Sequence, residues 1–191
     1  HINFTNEHYS FGLIDSMKDR TITVNGVSKG FAMTGWRVGY IGAPEFIASA
    51  CNKIQGQITS ATCSIAQKAT EAAVLSVPEE STIKMKIEFK KRRDLIVDQL
   101  SKIKGVKCNV PDGAFYVFPD ISNFFNKKDK EGNLIKNSDD LTMYLLNDAC
   151  VATVAGSAFG TNECIRISYA TSTKNITEAM TRIKNSLEKL I

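Results

Sequence analysis

The sequence predicts a mixed fold, in which the end of an α/β unit is followed by a smaller α+β domain. Three observations support this. Two strand-like runs, 21–25 and 36–42, flank a glycine-rich stretch, and helical patterns follow over 44–56 and 62–76. A long helical pattern covers 79–104. Beyond it, short strand-like runs alternate with helices, which is typical of an α+β domain.

The first elements rest on alternation and on turn residues. Thr21–Asn25 alternates β-branched and polar side chains, and the run that starts at Trp36 is closed by Pro44. The 79–104 helix has one apolar side, which is formed by Ile83, Ile87, Ile96, Leu100 and Ile103. We interpret its basic run, 90–93, as a solvated helix face, because no aromatic residues or glycines interleave with it as in a nucleic-acid or phosphate patch.

The later elements are shorter. Runs 106–110 and 114–118 flank Pro111-Asp-Gly113 and predict two strands around a turn. The polar stretch 126–138 predicts an exposed loop. Ser138 is the predicted cap of a helix that carries Leu141, Tyr144 and Leu145.

Two further strands and a closing helix complete the pattern. Runs 151–154 and 164–169 predict the strands. The helix shows apolar residues at steps of three or four, namely Ile176, Met180, Ile183, Leu187 and Leu190. Asn175 with Glu178 resembles a capping box at its start.

Composition excludes several function classes. A net charge of +4 gives no reason to expect nucleic acid or an anionic membrane as a partner. No apolar run approaches the roughly 18 residues of a membrane span, and the opening lacks the pattern of a signal peptide. We therefore expect a cytoplasmic protein. The opening His1-Ile-Asn-Phe4 has no initiator methionine and suggests a sequence entered midway through an element.

The cysteines and histidines argue against a metal site. Five widely spaced cysteines form no CxxC pair, and we expect them to be reduced and buried as small apolar residues. With His1 and His8 as the only histidines, no zinc site is expected. Reduced cysteines fit a reducing cytosol.

The segment with the most chemical information runs from Asn25 to Tyr40. Lys29 lies among small and apolar residues directly after a strand, where partial desolvation would favour its neutral, nucleophilic form. Arg37 follows in the next strand-like run and offers a fork suited to phosphate. An amine beside a phosphate anchor suits pyridoxal phosphate. The alternative is that Lys29 is a surface residue in a tight turn.

The segment Ser28-Lys-Gly-Phe-Ala-Met-Thr-Gly-Trp-Arg-Val-Gly-Tyr40 resembles the cofactor-lysine signature of class I/II aminotransferases of PLP fold type I, most like the prokaryotic-type aspartate aminotransferases. The segments 57–67 and 111–119 are also similar to the family, although Ala61 stands where the family has asparagine. The pair of segments 154–160 and 164–170 resembles the region that carries the substrate-carboxylate arginine.

The resemblance implies three parts. Residues 1–80 would complete the PLP-binding large domain, 81–104 would be a linking helix, and 105–191 would form the α+β small domain. The family's aspartate that pairs with the pyridine nitrogen, its phosphate loop and its ring-stacking aromatic would lie upstream of residue 1. The chain alone would then be inactive or nearly so.

The resemblance also assigns roles to five residues. Lys29 would hold pyridoxal 5'-phosphate and move the proton, Arg37 would bind the phosphate, and Ser28 is a weaker phosphate candidate. Ser60 would reach the neighbouring subunit's site, because the family is homodimeric. Arg166 would bind the amino acid's α-carboxylate. Independently, an arginine between two isoleucines of a strand needs an anion to be tolerated there, and the alternative is a buried pair with a protein carboxylate.

The implied activity is transfer of an amino group from an amino acid to a 2-oxo acid, with aspartate as a family label only. Three alternatives stay open. One is another fold type I enzyme, such as a C–S lyase or a decarboxylase-like relative, although the Arg166 segment favours transamination. The second is a catalytically silent fragment. The third is a basic binding module, against which the weak net charge argues.

Overall fold

The computed structural model describes residues 2–5, 7–76 and 79–191. The opening His1 lies outside the described residues. The chain divides into two compact units. Unit 1 lies within Asn6–Met85, and unit 2 comprises Ile2–Thr5 and Lys86–Ile191. In the described part, no helix is both long and apolar enough to span a membrane.

Unit 1 contains an antiparallel hairpin followed by two helices. Strand β1 (Thr23–Gly26) pairs with β2 (Gly39–Gly42), and the single helical turn α1 (Val27–Gly30) lies between them in sequence. The predicted helices are present as α2 (Glu45–Ile58) and α3 (Ser64–Ser76). The second strand begins later than expected, because the preceding residues, Thr34–Trp36, form a 3₁₀ turn.

The buried cluster of unit 1 is small. It consists of Val27, Val38 and Ala66, with Phe31 and Met33 packed against it. Helix α2 has no buried residue, and many large apolar side chains of the unit are exposed. Unit 1 therefore keeps much of its apolar surface in contact with solvent.

Helix α4 (Glu79–Ser101) confirms the predicted long helix, but its apolar side is buried over only part of its length. Ile96 and Leu100 are each 1% exposed. Ile83 and Ile87 are 48% and 49% exposed, so the expectation of a continuous apolar side is wrong. Periodicity predicts which residues share a face, but burial also requires a neighbouring element along the whole face.

The basic run of α4 is not uniformly solvated. Arg93 is 7% exposed and donates hydrogen bonds to the Asp94 carboxylate and, at 3.1 Å, to the Pro111 carbonyl oxygen. Its guanidinium carbon lies 4.5 Å from the centroid of the Phe4 ring. The prediction of a solvated face is therefore wrong at Arg93, which ties α4 to the Ile2–Thr5 segment.

Unit 2 is built on a three-stranded antiparallel sheet. Strands β3 (Tyr116–Val117) and β4 (Val154–Ala155) pair on either side of β5 (Ile165–Ser168). The predicted strand 106–110 is reduced to one bridge, between Lys107 and Asp120. Of the predicted strand 151–154, only the last residue belongs to β4.

Two helices close the core of unit 2, α5 (Ser138–Asp148) and α6 (Thr173–Leu187). All five apolar residues predicted for the last helix are buried. The predicted caps, Ser138 and Asn175, are wrong, because the observed caps lie one and three residues earlier. Asn137 caps α5 and accepts from Asp140 N–H, and Ser172 caps α6 and accepts from Asn175 N–H. Short polar side chains before each helix compete for the cap, and backbone geometry selects one of them.

The predicted exposed loop over 126–138 is exposed over most of its length, but it is attached to unit 2 at several points. Residues Lys128 and Leu134 form a bridge around a turn closed by the Asp129 carboxylate, and Ile135 is 3% exposed. Lys128 and Ile191 also exchange two backbone hydrogen bonds. Burial of Ile135 in the core and the hydrogen bonds to Ile191 together attach this hairpin to unit 2.

All five cysteines are free, as expected, but none is fully buried. Three are exposed, namely Cys51, Cys63 and Cys150. The expectation that they serve as buried apolar residues is therefore wrong.

Candidate active site

The predicted cofactor residues of unit 1 lie in the connection between β1 and β2. The hairpin pairs Asn25 with Tyr40 and Gly26 with Gly39. A side chain at Gly26 would bring its Cβ to 3.1 Å from the Val38 carbonyl oxygen. A Cβ there would be tight against the Val38 backbone, so the two backbones approach closely at Gly26.

Buried residues anchor both ends of this connection. Val27 is fully buried and Val38 is 8% exposed. The N–H groups of Phe31 and Met33 both donate to the Val27 carbonyl oxygen, at 3.3 and 3.4 Å. The connection is therefore a compact, hydrogen-bonded loop, and residues next to the anchors have defined positions.

Lys29 lies in the single turn of α1, two residues after the buried Val27, and its side chain is exposed. The partial desolvation expected from its apolar neighbours is therefore not present in this chain. Phe31 and Met33 pack on the buried cluster of unit 1 and leave the lysine exposed. Ser28, directly before it, is half-buried.

Arg37 has a backbone conformation that non-glycine residues rarely adopt, with φ 56° and ψ 48°. This left-handed conformation costs roughly 1–2 kcal/mol in a residue with a Cβ. The guanidinium donates from Nη1 to the Thr34 carbonyl oxygen at 2.9 Å. Strained backbone of this kind is concentrated at functional sites, where surrounding structure maintains it.

Ser60 is not in this loop. It follows α2 at φ 64°, is exposed, and lies in the connection to α3. The hairpin connection thus contains Ser28, Lys29 and Arg37, and Ser60 lies on a different segment of unit 1.

Arg166 lies in unit 2, in the central strand β5. Its neighbours Ile165 and Ile167 are 1% and 6% exposed and face the core, whereas Arg166 is half-buried on the other face. Among the described residues, the arginines that form ion pairs are Arg93 and Arg182. The alternative of an ion pair with a protein carboxylate therefore finds no support in the described part of the chain.

Two aromatic residues near Arg166 were not predicted from the sequence. The Arg166 guanidinium carbon is 4.5 Å from the Tyr116 ring centroid and 4.7 Å from the Phe159 ring centroid. Tyr116 and Phe159 lie in the segments 111–119 and 154–160, which resemble the family. An aromatic side chain in each segment was therefore the only sequence signal for a contact with Arg166. Their proximity to Arg166 depends on strand pairing, which the sequence did not specify.

Comparison with known proteins gives the family. The model of aminotransferase class I and II matches residues 1–183. The chain belongs to this family. The class I and II aminotransferase match includes the β1–β2 loop and the Arg166 strand.

Similar proteins are long by comparison. A Petunia hybrida bifunctional aspartate aminotransferase and glutamate/aspartate-prephenate aminotransferase is 48% identical over 182 residues, 94% of this chain and 38% of the relative. A Rhizobium meliloti aspartate aminotransferase is 46% identical over 174 residues, 91% of this chain and 42% of the relative. The chain spans less than half the length of these relatives.

Solved structures of the family share the fold. The crystal structure of the aspartate aminotransferase from Rhizobium meliloti superposes with a TM-score of 0.93 at 42% identity, covering 100% of this chain and 48% of that one. An aromatic aminotransferase from Pyrococcus horikoshii gives 0.85 at 36% identity, with 98% and 48% covered. The predicted fold class, the C-terminal part of a fold type I aminotransferase, is confirmed.

Proposed function

We propose that this chain carries the cofactor lysine and the substrate arginine of a pyridoxal-phosphate-dependent aminotransferase. The enzyme would transfer an amino group from an amino acid to a 2-oxo acid. The observation that carries the proposal is the anchored loop between β1 and β2, which presents Lys29 and Arg37 in a chain of the aminotransferase class I and II family.

The residues of this loop fit pyridoxal 5'-phosphate by their donor chemistry. Lys29 provides an amine for the aldehyde, and Arg37 and Ser28 provide hydrogen-bond donors for the phosphate. When bound, pyridoxal phosphate supplies the electron sink for removal of the proton at the substrate Cα. Lys29 would hold the cofactor and then accept and return that proton. The left-handed backbone of Arg37 would set the direction of its side chain, and the guanidinium would bind the phosphate.

Arg166 would bind the α-carboxylate of the amino acid. A guanidinium matches a carboxylate with two parallel hydrogen bonds, and Arg166 has no competing carboxylate among the described residues. The α-carboxylate is common to all amino acids, so this contact does not determine which amino acid is the substrate. We propose aspartate as the amino donor because the relatives above are named for it.

The assembled enzyme would be a homodimer in the cytoplasm. Exposed apolar side chains in unit 1, including Phe46, Ile54 and Ile58 of α2, support burial against another polypeptide surface. Ser60, exposed at a left-handed position beside α2, would contact the cofactor phosphate of the neighbouring subunit. Five free cysteines support a reducing compartment.

A second candidate is a chain that is catalytically silent by itself. Its coverage of 38% and 42% of the two relatives favours this candidate, because other groups of the site would come from the remainder. Cofactor attachment is compatible with both candidates, whereas turnover is compatible only with the first. In an amino-transfer assay on the 191-residue chain, turnover would therefore exclude the second candidate.

Cofactor attachment is tested by reductive labelling. The chain is incubated with pyridoxal phosphate, reduced with borohydride and mapped by mass spectrometry. We expect the label at Lys29 in preference to other lysines, since Lys29 lies in the same loop as Arg37, the arginine proposed to bind the phosphate. Lys53, an exposed lysine in α2, is the matched reference position.

The role of Arg37 is tested in the same assay. Arg37→Gln should reduce labelling of Lys29 by pyridoxal phosphate by about tenfold or more, because a charged hydrogen bond contributes roughly 1.5–3 kcal/mol. Labelling by pyridoxal, which lacks the phosphate, should not change. Equal labelling of Lys29 and Lys53 would instead support the view of Lys29 as a surface lysine in a tight turn.

A further inference from the structure

The surroundings of Arg166 contain more than its own strand. Tyr116 belongs to β3 and Phe159 follows β4, so the two rings come from opposite neighbours of β5. Tyr116 pairs with Ser168, two residues from Arg166, and so lies on the same face of the sheet. The guanidinium is thus approached by an aromatic ring from each side of its strand.

The backbone fixes the position of Phe159. It ends the 3₁₀ turn Gly156–Phe159, and Gly160 follows it at φ 79°. A Cβ at Gly156 would lie 2.1 Å from the Thr161 carbonyl oxygen and 2.3 Å from that of Cys164. The turn therefore requires glycine at 156, and the tight backbone packing sets where the ring of Phe159 lies.

Other aromatic residues support both rings. The Phe115 ring centroid is 4.4 Å from that of Tyr116, and Phe115 also packs on Phe89 of α4 at 5.9 Å. Phe118 meets Phe159 edge-on, with centroids 5.9 Å apart and an interplanar angle of 88°. Neither ring next to Arg166 is an isolated surface side chain.

We propose that Tyr116 and Phe159 are positioning residues that hold the Arg166 guanidinium in the orientation required by a carboxylate ligand. The proposal rests on the proposed function, in which Arg166 binds the α-carboxylate. Aromatic rings attract a guanidinium through its charge but accept few of its hydrogen bonds, so the N–H groups stay available for an anion. A side chain held in its binding orientation loses less conformational entropy when the carboxylate arrives.

The proposal is tested on the 191-residue chain by NMR of the arginine Nε–H groups. The Arg166 signal is assigned by its loss in Arg166→Lys. In the unmutated chain we expect a ring-current shift of this signal and slow rotation about the Nε–Cζ bond. Titration with maleate, a dicarboxylate, should move the signal, and the uncharged dimethyl ester should not.

The matched variants compare a ring with an aliphatic side chain. Tyr116→Leu and Phe159→Leu should each weaken maleate binding about three- to tenfold and speed rotation of the guanidinium, given the strength of cation–aromatic contacts at half-buried and exposed sites. Tyr116→Phe and Phe159→Tyr keep the ring and should retain the binding and the slow rotation of the unmutated chain. Amide spectra report whether each variant is folded.

Three results would overturn the proposal, and they differ in what they say of the proposed function. If the leucine variants bind maleate like the unmutated chain while Arg166→Lys does not, positioning fails and the carboxylate role of Arg166 stands. If maleate leaves the Arg166 signal of the unmutated chain unchanged, both fail. If the leucine variants do not fold, fast rotation of Arg166 in the unmutated chain is sufficient to reject positioning.

Discussion

The two units differ in how much apolar surface they bury. Among the described residues, the cluster of unit 1 contains three buried side chains, whereas that of unit 2 contains eighteen. Apolar burial is the main favourable contribution to folding, so the two units should respond differently to the same substitution. The loop that carries Lys29 is therefore anchored on a small buried cluster, whereas the strand that carries Arg166 is part of a large core.

The largest expected effect is on unit 2. Leu145, in α5, has no exposed surface, and Leu145→Ala should lower the free energy of unfolding by about 2–5 kcal/mol. Leu75, in α3 of unit 1, is 76% exposed, and Leu75→Ala should change it by less than about 0.5 kcal/mol. Urea unfolding followed by circular dichroism measures both. Equal losses would remove the contrast between the units.

A second prediction concerns alkaline pH. Burial, reinforced by the charges of Asp148 and Asp129, raises the pKa of Tyr144 to about 12, and its hydroxyl donates to the Ser186 carbonyl oxygen at 2.8 Å. An unfolded tyrosine has a pKa of about 10. Because the pKa is higher in the folded state, the protonated Tyr144 hydroxyl contributes to the free energy of unfolding. This contribution is fully present below pH 10 and is lost as the pH rises through 12.

The alkaline loss of stability should therefore be smaller in Tyr144→Phe. The matched control is Tyr9→Phe in unit 1, at a side chain that is 78% exposed, and it should leave the pH profile unchanged. Thermal unfolding between pH 9 and pH 12 measures the profile. A profile of Tyr144→Phe that coincides with that of the unmutated chain would argue against the tyrosine as its source.

The smallest expected effect concerns the order in which three cysteine thiols react, and it involves no change in stability. Backbone hydrogen bonds from Ala66 and Ile65 lower the pKa of the exposed Cys63 thiol in unit 1. Burial raises the pKa of Cys108 and of Cys164 in unit 2. Because the thiolate is the reactive form, iodoacetamide should modify Cys63 at a lower pH and before the other two. Peptide mapping over time measures the order, and earlier modification of Cys108 would contradict it.

The sequence predicted best the elements that show strong periodicity. Four apolar residues of α6, and Leu190 just beyond its end, repeat at steps of three or four, and each of them is buried. A helix that packs along its whole length on a core keeps its pattern. The same reasoning failed at Ile83 and Ile87, since a pattern does not say where the neighbouring element ends. It failed again at Ile135, where one apolar residue in a polar stretch gives no period at all.

The candidate site was predicted unevenly for a related reason. Lys29, Arg37 and Arg166 were found because a chemical argument and a continuous sequence motif coincided at each of them. Tyr116 and Phe159 were missed because their role depends on strand register. Tyr116 is 50 residues before Arg166 in the sequence, and both rings lie beside Arg166 only after β3, β4 and β5 have paired. The roles of all these residues, and the three-part division of the chain, stay predictions.

The left-handed backbone of Arg37 lowers the stability of the fold, while its side chain is proposed to serve the reaction. Glycine adopts this conformation freely, so replacing Arg37 with glycine would relieve roughly 1–2 kcal/mol of local strain. It would also remove the guanidinium proposed to bind the cofactor phosphate. Selection for heat resistance alone would thus favour losing this side chain, and an engineer who stabilises the protein by standard backbone rules should leave position 37 untouched.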